Sequence, residues 1–317
     1  MSYTQLTERQ RYQISTLLNS GFSKTYIAKQ LNVYPSTMTR EIKRNSGLRG
    51  YRPKQANEQA LARRHGSRKN QRFTDELQAI IRKYLEQKWS PEQITGYLKS
   101  TGGNWVSHER IYQFIKDDQL SGGTLYKHLR HSSKKRKKRY GAPDRRGEIK
   151  NRVSIDKRPK IVEKRERLGD WELDTMIGKS HKGALVTIVD RCSLKTLIKK
   201  VPSKHAPIVT AACIEKLAPY AAISTTATVD NGKEFAGHQE IAKALGIDVY
   251  FAHPYSSWER GTNENTNGLI RQYIPKGSSF DKYDDEYIAF VEDQLNNRPR
   301  KCLDYLTPNQ YFDRIME

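Results

Sequence analysis

The segment Ser257–Lys276, SWERGTNENTNGLIRQYIPK, sets Glu264 among small and amide side chains at helical spacing. Upstream, with 33 residues intervening, Asp230 lies in ATVDNGKEF, and a further 55 residues separate it from Asp174 in GDWELDTMIG. Two acids on or ending strands and a third on a helix make a set of hard oxygen donors. Such a set suits divalent cations and phosphoryl transfer. Converging carboxylates repel one another and raise at least one pKa. Two Mg²⁺ ions about 3.5–4 Å apart would relieve that repulsion and activate an attacking oxygen, with Mn²⁺ as a substitute. On the helix of Glu264, Asn267, Gly268 and Arg271 fall at i+3, i+4 and i+7, on the same face. Asn267 and Arg271 are therefore expected DNA contacts, and Gly268 a place where DNA or the sheet comes close. Each acid alone is a weak signal, since Asp-Asn-Gly is also a common turn. Glu172, Asp190, Glu234 and Glu259 compete as ligands, Glu172 most strongly because it shares a strand face with Asp174.

The elements that must position these acids follow from periodicity. From Gly169 the pattern alternates: Trp171, Leu173 and Thr175 on one face, Glu172, Asp174 and Met176 on the other. The run 184–189 reads as a buried strand and 194–201 as a third, making an antiparallel meander on short turns. Helices are expected over 204–217, 238–245, 258–274 and 283–296, and strands over 225–229 and 249–251. This βββαβαβα order is similar to the RNase H-type α/β fold. It can gather a mid-strand Asp, an Asp at a neighbouring strand tip and a Glu on a packed helix.

The substrate is legible in the charge. Residues 1–150 carry 32 Lys and Arg against 12 Asp and Glu, whereas residues 151–317 carry 25 against 23. A basic front joined to a near-neutral back fits a DNA-binding module fused to an enzyme. Residues 7–44 read as three short helices. Thr7 with Gln10 makes a capping box, Gly21 a helix end and Ser23 a cap, and Ser36 opens TMTREIKRN. Met38 and Ile42 point inward there. Ser36, Thr37, Thr39, Arg40, Lys43 and Arg44 are left outward, as on a recognition helix for a major groove. A second unit follows: a helix over 74–86, a helix start at Ser90-Pro91-Glu92-Gln93, and Ser107 opening HERIYQFIK with His108, Arg110 and Gln113 outward. Two units in tandem could read about two turns of duplex. Residues 49–72 are a basic linker rich in Arg, Gln and Asn, which reads as a helix or an extended strap along phosphates but specifies no structure sharply. The run Lys134, Lys135, Arg136, Lys137, Lys138 and Arg139 suits a phosphate-tracking strap, and a nuclear-localisation signal is the competing reading.

Cys192, Cys213 and Cys302 form no CxxC pair, which favours a reducing compartment and argues against a cysteine-rich zinc site. No apolar run reaches the roughly 18–20 residues of a membrane span. The expected place is the cytosol.

Several long motifs carry a family resemblance. In the front these are LTERQRYQI, IAKQLNVYPSTMTREIKRN, WSPEQITGYL, VSHERIYQFI and GGTLYKHLR; in the back, GDWELDTMIG, VDNGKEF, PYSSWERGTNENTNGLIRQYIPKG and LNNRPRKCLDYLTP. The chain resembles a DDE transposase of bacterial insertion-sequence family thirty over nearly its whole length. One departure is Ser257, where that family pattern has Pro; it bears on loop stiffness before the Glu helix. The resemblance implies a multidomain protein, with all-α tandem helix-turn-helix domains followed by a C-terminal α/β RNase H-like catalytic domain. The expected limits are 1–48, a basic linker 49–72, 73–131, a basic linker 132–166, and 167–317. It also implies that Asp174, Asp230 and Glu264 hold two Mg²⁺ ions. The double-stranded DNA partners would be the terminal inverted repeats of its own element and a target, cut and joined through joined-end or circular intermediates. A homodimer or larger synapse would hold both ends, with no membrane involved. A stand-alone repressor, an RNase H-like nuclease that cuts without joining, and a tyrosine recombinase are the alternatives.

Overall fold

The structure, a computed structural model, describes residues 5–66, 73–130, 149–254 and 256–317. It divides into two compact units, Met1–Arg72 and Phe73–Glu317.

In the first unit, α1 (Glu8–Asn19) begins with the Thr7–Gln10 capping box, and Gly21, at φ 81°, turns the chain after it. Ser23 caps α2 (Lys24–Gln30). The third helix, α3 (Pro35–Asn45), starts one residue before Ser36: Pro35 takes the first position, where no amide donor is needed, and Tyr34 caps without a side-chain bond. Leu6, Ile14, Ile27, Ala28 and Met38 form the core. A short hairpin, β1 (Ser46–Gly47) with β2 (Gly50–Tyr51), leads to α4 (Pro53–Gly66). The stretch expected as a linker over 49–72 thus contributes a packed helix as far as residue 66. Its apolar signal is small: Ala56 is its one fully buried side chain among the described residues. Polar contacts do the rest. Buried Arg11 donates to Asn57 Oδ1 (2.9 Å) and Glu41 Oε1 (2.8 Å), and Arg63 bonds the Asn45 side chain. Such contacts leave no periodicity in the sequence.

The second unit opens with α5 (Asp75–Glu86), α6 (Pro91–Ser100) and α7 (His108–Leu120), around Leu77, Ile81, Leu85, Ile94, Ile111 and Phe114. A six-stranded sheet follows. Its members are β3 (Val153–Ser154), β4 (Asp170–Ile177), β5 (Ala184–Asp190), β6 (Thr196–Val201), β7 (Thr226–Val229) and β8 (Asp248–Phe251), in the order β3-β8-β7-β4-β5-β6. The β4-β5-β6 meander is antiparallel, and β4-β7, β7-β8 and β3-β8 are parallel. The helices are α8 (Ile161–Lys164), α9 (Ala206–Leu217), α10 (His238–Leu245), α11 (Gly261–Ile270), α12 (Asp285–Asn296) and α13 (Pro308–Met316). The mixed sheet with helices on both faces is the RNase H-like architecture. Trp171 and Leu173 pack with Val209, Leu217 and Ile241 on one face; Met176, Leu185 and Ile198 pack with Leu269, Ile270 and Val291 on the other. The alternation along β4 therefore aims Asp174 toward the α11 side.

Three details differ from expectation. The third strand begins at Thr196, because Leu194 (φ 61°) belongs to the turn. Residues 149–166, expected within a linker, supply buried Ile149 and the edge strand β3. The C-terminal helix α13, entered by a Thr307–Gln310 capping box, was not anticipated.

The second helix-turn-helix is docked on the sheet domain. Gln93, which closes the Ser90 capping box on α6, also donates to Pro299 O (2.7 Å) and accepts from buried Arg298 (2.9 Å). The Tyr305 ring lies against Gly96 so closely that a Cβ there would sit 2.1 Å from it. Tyr273 donates to Gln87 O (3.2 Å).

Candidate active site and DNA-binding faces

The parallel register of β4 and β7 pairs Glu172 with Thr228. Carried two residues further, it sets Asp174 beside Asp230, just past the end of β7. Strands about 4.8 Å apart bring two such carboxylates into one site. The guanidinium of Arg260 lies between them, Nη1 3.3 Å from Asp174 Oδ1 and Nη2 3.6 Å from Asp230 Oδ2. Arg260 also donates to Leu173 O (3.3 Å). Burial pushes the Asp174 carboxyl above the usual range; Arg260 pulls it back down, and Asp230 adds to the rise. Asn267 on α11 donates to Asp174 Oδ2 (2.7 Å) and accepts from Thr187 Oγ1 on β5 (3.1 Å). Its amide orients Asp174. Asp230 Oδ1 accepts from the Gly232 amide (2.8 Å), fixing the turn after β7.

Glu264 lies on α11 three residues before Asn267, and its side chain is exposed. Among the described residues no three His, Cys, Asp or Glu stand close enough together to hold a metal ion. The structure thus brings Asp174 and Asp230 together and leaves Glu264 apart. The pair fits a hard cation: its donors are carboxylate oxygens, and the cationic Arg260 already stands between them.

Three sequence comparisons bear on this site. The Helix-turn-helix domain model matches residues 2–45, the Homeodomain-like domain model 37–115, and the Integrase core domain model 164–257. The transposase for insertion sequence element IS4351 of Bacteroides fragilis is 47% identical over 98% of this chain and 96% of its own. The chain belongs to the IS30 family of insertion-sequence transposases. The transposase InsI for element IS30A of Escherichia coli is 37% identical over 98% of this chain and 83% of its own, and that for IS1086 of Cupriavidus metallidurans 36% over 99% and 96%.

In this transposase the rival acids are spent on structure. Glu172 is fully buried, ion-paired to Arg191 (2.6 Å) and accepting the Asn263 amide (2.9 Å). Asp190 accepts from Ser193 and Gly169 amides and the Ser193 hydroxyl. Glu234 accepts from Thr175, and Glu259 binds His253. Arg260 is the residue that reading for acids alone overlooks, although it lies one helical turn before Glu264 in the opening motif.

The transposase binds DNA through its helix-turn-helix domains. On α3, Ser36, Thr39, Arg40, Lys43 and Arg44 are exposed and Thr37 half-buried. Arg40 folds back in part, donating to Ser36 O (3.1 Å). On α7, His108 and Gln113 are exposed, while Arg110 stacks on the Phe73 ring (4.4 Å) and lies 3.9 Å from Asp117. Arg271 closes α11, half-buried, directed at Ile274 O and Pro275 O. The basic run Lys134–Arg139 lies outside the described residues. Among the described residues, no helix is long and apolar enough to cross a membrane.

Proposed function

We propose that this transposase binds the terminal inverted repeats of its own element and performs Mg²⁺-dependent strand cleavage and strand transfer by a DDE mechanism. Asp174, Asp230 and Glu264 would hold two Mg²⁺ ions, with Mn²⁺ able to replace them. Bound there, the ions would polarise the reacting phosphodiester and make the attacking oxygen more acidic. The protein's own groups do the rest. Asn267 keeps the Asp174 carboxylate aimed into the site, and the Gly232 amide does the same for Asp230. The buried Glu172–Arg191 pair anchors the start of α11 through the Asn263 amide, and so places the helix that bears Glu264. In the first step, water opens a strand at the element end and frees a 3′-hydroxyl. In the second, that hydroxyl attacks another phosphodiester in line, and the displaced 3′-oxygen leaves. Both ends must be present together, so a homodimer or larger synapse carries out the reaction, through joined-end or circular intermediates.

The observation that best supports this reading is the pairing of Asp174 and Asp230 around one guanidinium, with the Glu264 helix bonded to Asp174 through Asn267. The test is incubation with end-containing DNA, with and without Mg²⁺ or Mn²⁺, scored for joined products. Metal-dependent joining is expected. Cutting without joining would leave a nuclease, and binding without either would remove the reaction.

A further inference from the structure

Two arginines outside the acidic site are attached to its immediate sequence neighbours. Arg130, at the end of the second helix-turn-helix, places Nη2 3.1 Å from Asn265 Oδ1, and Asn265 follows Glu264. Arg152, just before β3, places Nη1 2.6 Å from Asn231 Oδ1, and Asn231 follows Asp230. Adjacent Cα atoms are about 3.8 Å apart, so the backbone of each bonded asparagine adjoins that of a proposed metal-binding acid. Both side chains are exposed, and both asparagine acceptors are neutral. Among the described residues neither arginine has an ion-pair partner. Gly268 leaves the space Arg130 uses: a Cβ there would meet its Nη2 at 2.8 Å.

Behind Arg130 the positive charge continues inward. Arg298 and Arg300 are buried, and among the described residues they donate to neutral oxygens: Gln93, Gln272 and the Leu295 carbonyl. Arg300 Nε is buried with no partner among the described atoms. Burial comes first in both; the charges of Arg300 and Arg130 help push Arg298 down to about 9, and Arg130, opposed by Cys302, helps push Arg300 down to about 10. A cationic cluster balanced only by neutral oxygens favours an anion at its exposed member. Guanidinium pairs with phosphate through parallel hydrogen bonds, which suits a DNA backbone better than a single-atom anion.

We infer that Arg130 and Arg152 form a two-point phosphodiester site across the acidic centre, gripping the DNA backbone on either side of the reacting phosphate. This rests on the proposed reaction only for the identity of that phosphate. The site differs from the recognition helices in that it reads no bases and sits next to the chemistry.

The experiment uses the full chain and a duplex bearing its element's terminal sequence. Binding is measured by anisotropy across a KCl series for wild type, Arg130→Gln, Arg152→Gln and the double variant. Circular dichroism and thermal midpoints establish that each variant is folded. The slope of log affinity against log salt should shrink by about 0.9 for each single variant and by about twice that for the double. Phosphate ethylation beside the cut position should weaken wild-type binding and leave the folded double variant unaffected. Arg130→Lys should recover most of the slope, because it keeps the charge. An unchanged slope, or an ethylation pattern shared by wild type and double variant, would overturn the site. If wild type neither cuts nor joins while the slope changes persist, the proposed reaction falls and the anion site stands.

Discussion

The two helix-turn-helix regions share a plan and differ in what surrounds it. Residues 1–72 hold 15 Lys and Arg against 3 Asp and Glu; residues 73–131 hold 8 against 7. The first forms a compact unit by itself. Its α3 presents exposed Arg40, Lys43 and Arg44, and α4 braces it through Arg11, Asn57 and Arg63. The second is compact only together with the sheet domain. Its α7 shows mixed charge, with Glu109 and Asp117 beside His108 and Lys116, and its Arg110 is held on Phe73. Its α6 is bonded to the Arg298–Pro299 loop. One motif thus stands in two settings: a strongly basic unit by itself, and a near-neutral one held against the sheet domain that carries Asp174 and Asp230.

The largest effect expected separates binding from chemistry. Asp174→Asn, Asp230→Asn and Glu264→Gln should each abolish cutting and joining while end binding, carried mainly by the first region, stays at the wild-type level. Gel shifts and product assays on the same samples decide this. Full activity in any one variant removes that acid from the site. Next comes deletion of residues 1–72. End-specific affinity should fall on the order of 10³-fold, toward the non-specific level. The remaining 73–317 fragment should still unfold cooperatively. A fragment that binds its ends as tightly as the full chain would reverse the roles assigned to the two regions.

Arg298→Ala addresses the docking itself. It leaves Gln272 Oε1 without the Arg298 donor, leaves Gln93 Oε1 with the Ser90 amide alone, and opens a gap beneath α6. A cost of about 2–4 kcal/mol is expected in urea unfolding of the 73–317 fragment. Faster amide exchange in α5–α7 should accompany it, as that region loosens from the sheet. A change under about 0.5 kcal/mol, the range of an ordinary surface substitution, would mean the contact does not hold the two parts together.

Much of this was legible in the sequence, and the missing parts share a cause. Caps at Thr7, Ser23, Ser90 and Ser107 and the buried run 184–190 act locally, so they can be read from neighbours in the chain. The α4 helix was one of two readings of its stretch, and its packing was not legible because polar contacts, not an apolar stripe, hold it. The docking of α6 depends on Gln93 meeting Arg298, 205 positions away, and no local pattern encodes that. At the acidic site the positions of Asp174 and Asp230 follow from strand register, and their pairing was foreseeable. The place of Arg260 between them was not, because it depends on the chain's path from the 3-10 turn 257–260 into α11.

The smallest effect compares equivalent caps. Ser23 Oγ accepts the Tyr26 amide (3.2 Å) in the first region, and Ser107 Oγ accepts the Arg110 amide (3.3 Å) in the second. Replacing either by Ala should cost about 1 kcal/mol, since the lost bond is the same. The consequence should differ. A unit of 72 residues has little stability to spare, so the loss appears as a lower midpoint and a larger unfolded fraction. In the second unit the same loss is shared with the sheet domain, and the larger enthalpy of unfolding reduces the shift in midpoint. Calorimetry of the full chain should therefore resolve two transitions. Ser23→Ala should move only the lower by about 4–8 °C, and Ser107→Ala only the upper by about 2–4 °C. A single transition moved equally by both would mean that the two regions melt as one, and the contrast between a free reader and a docked one would fail.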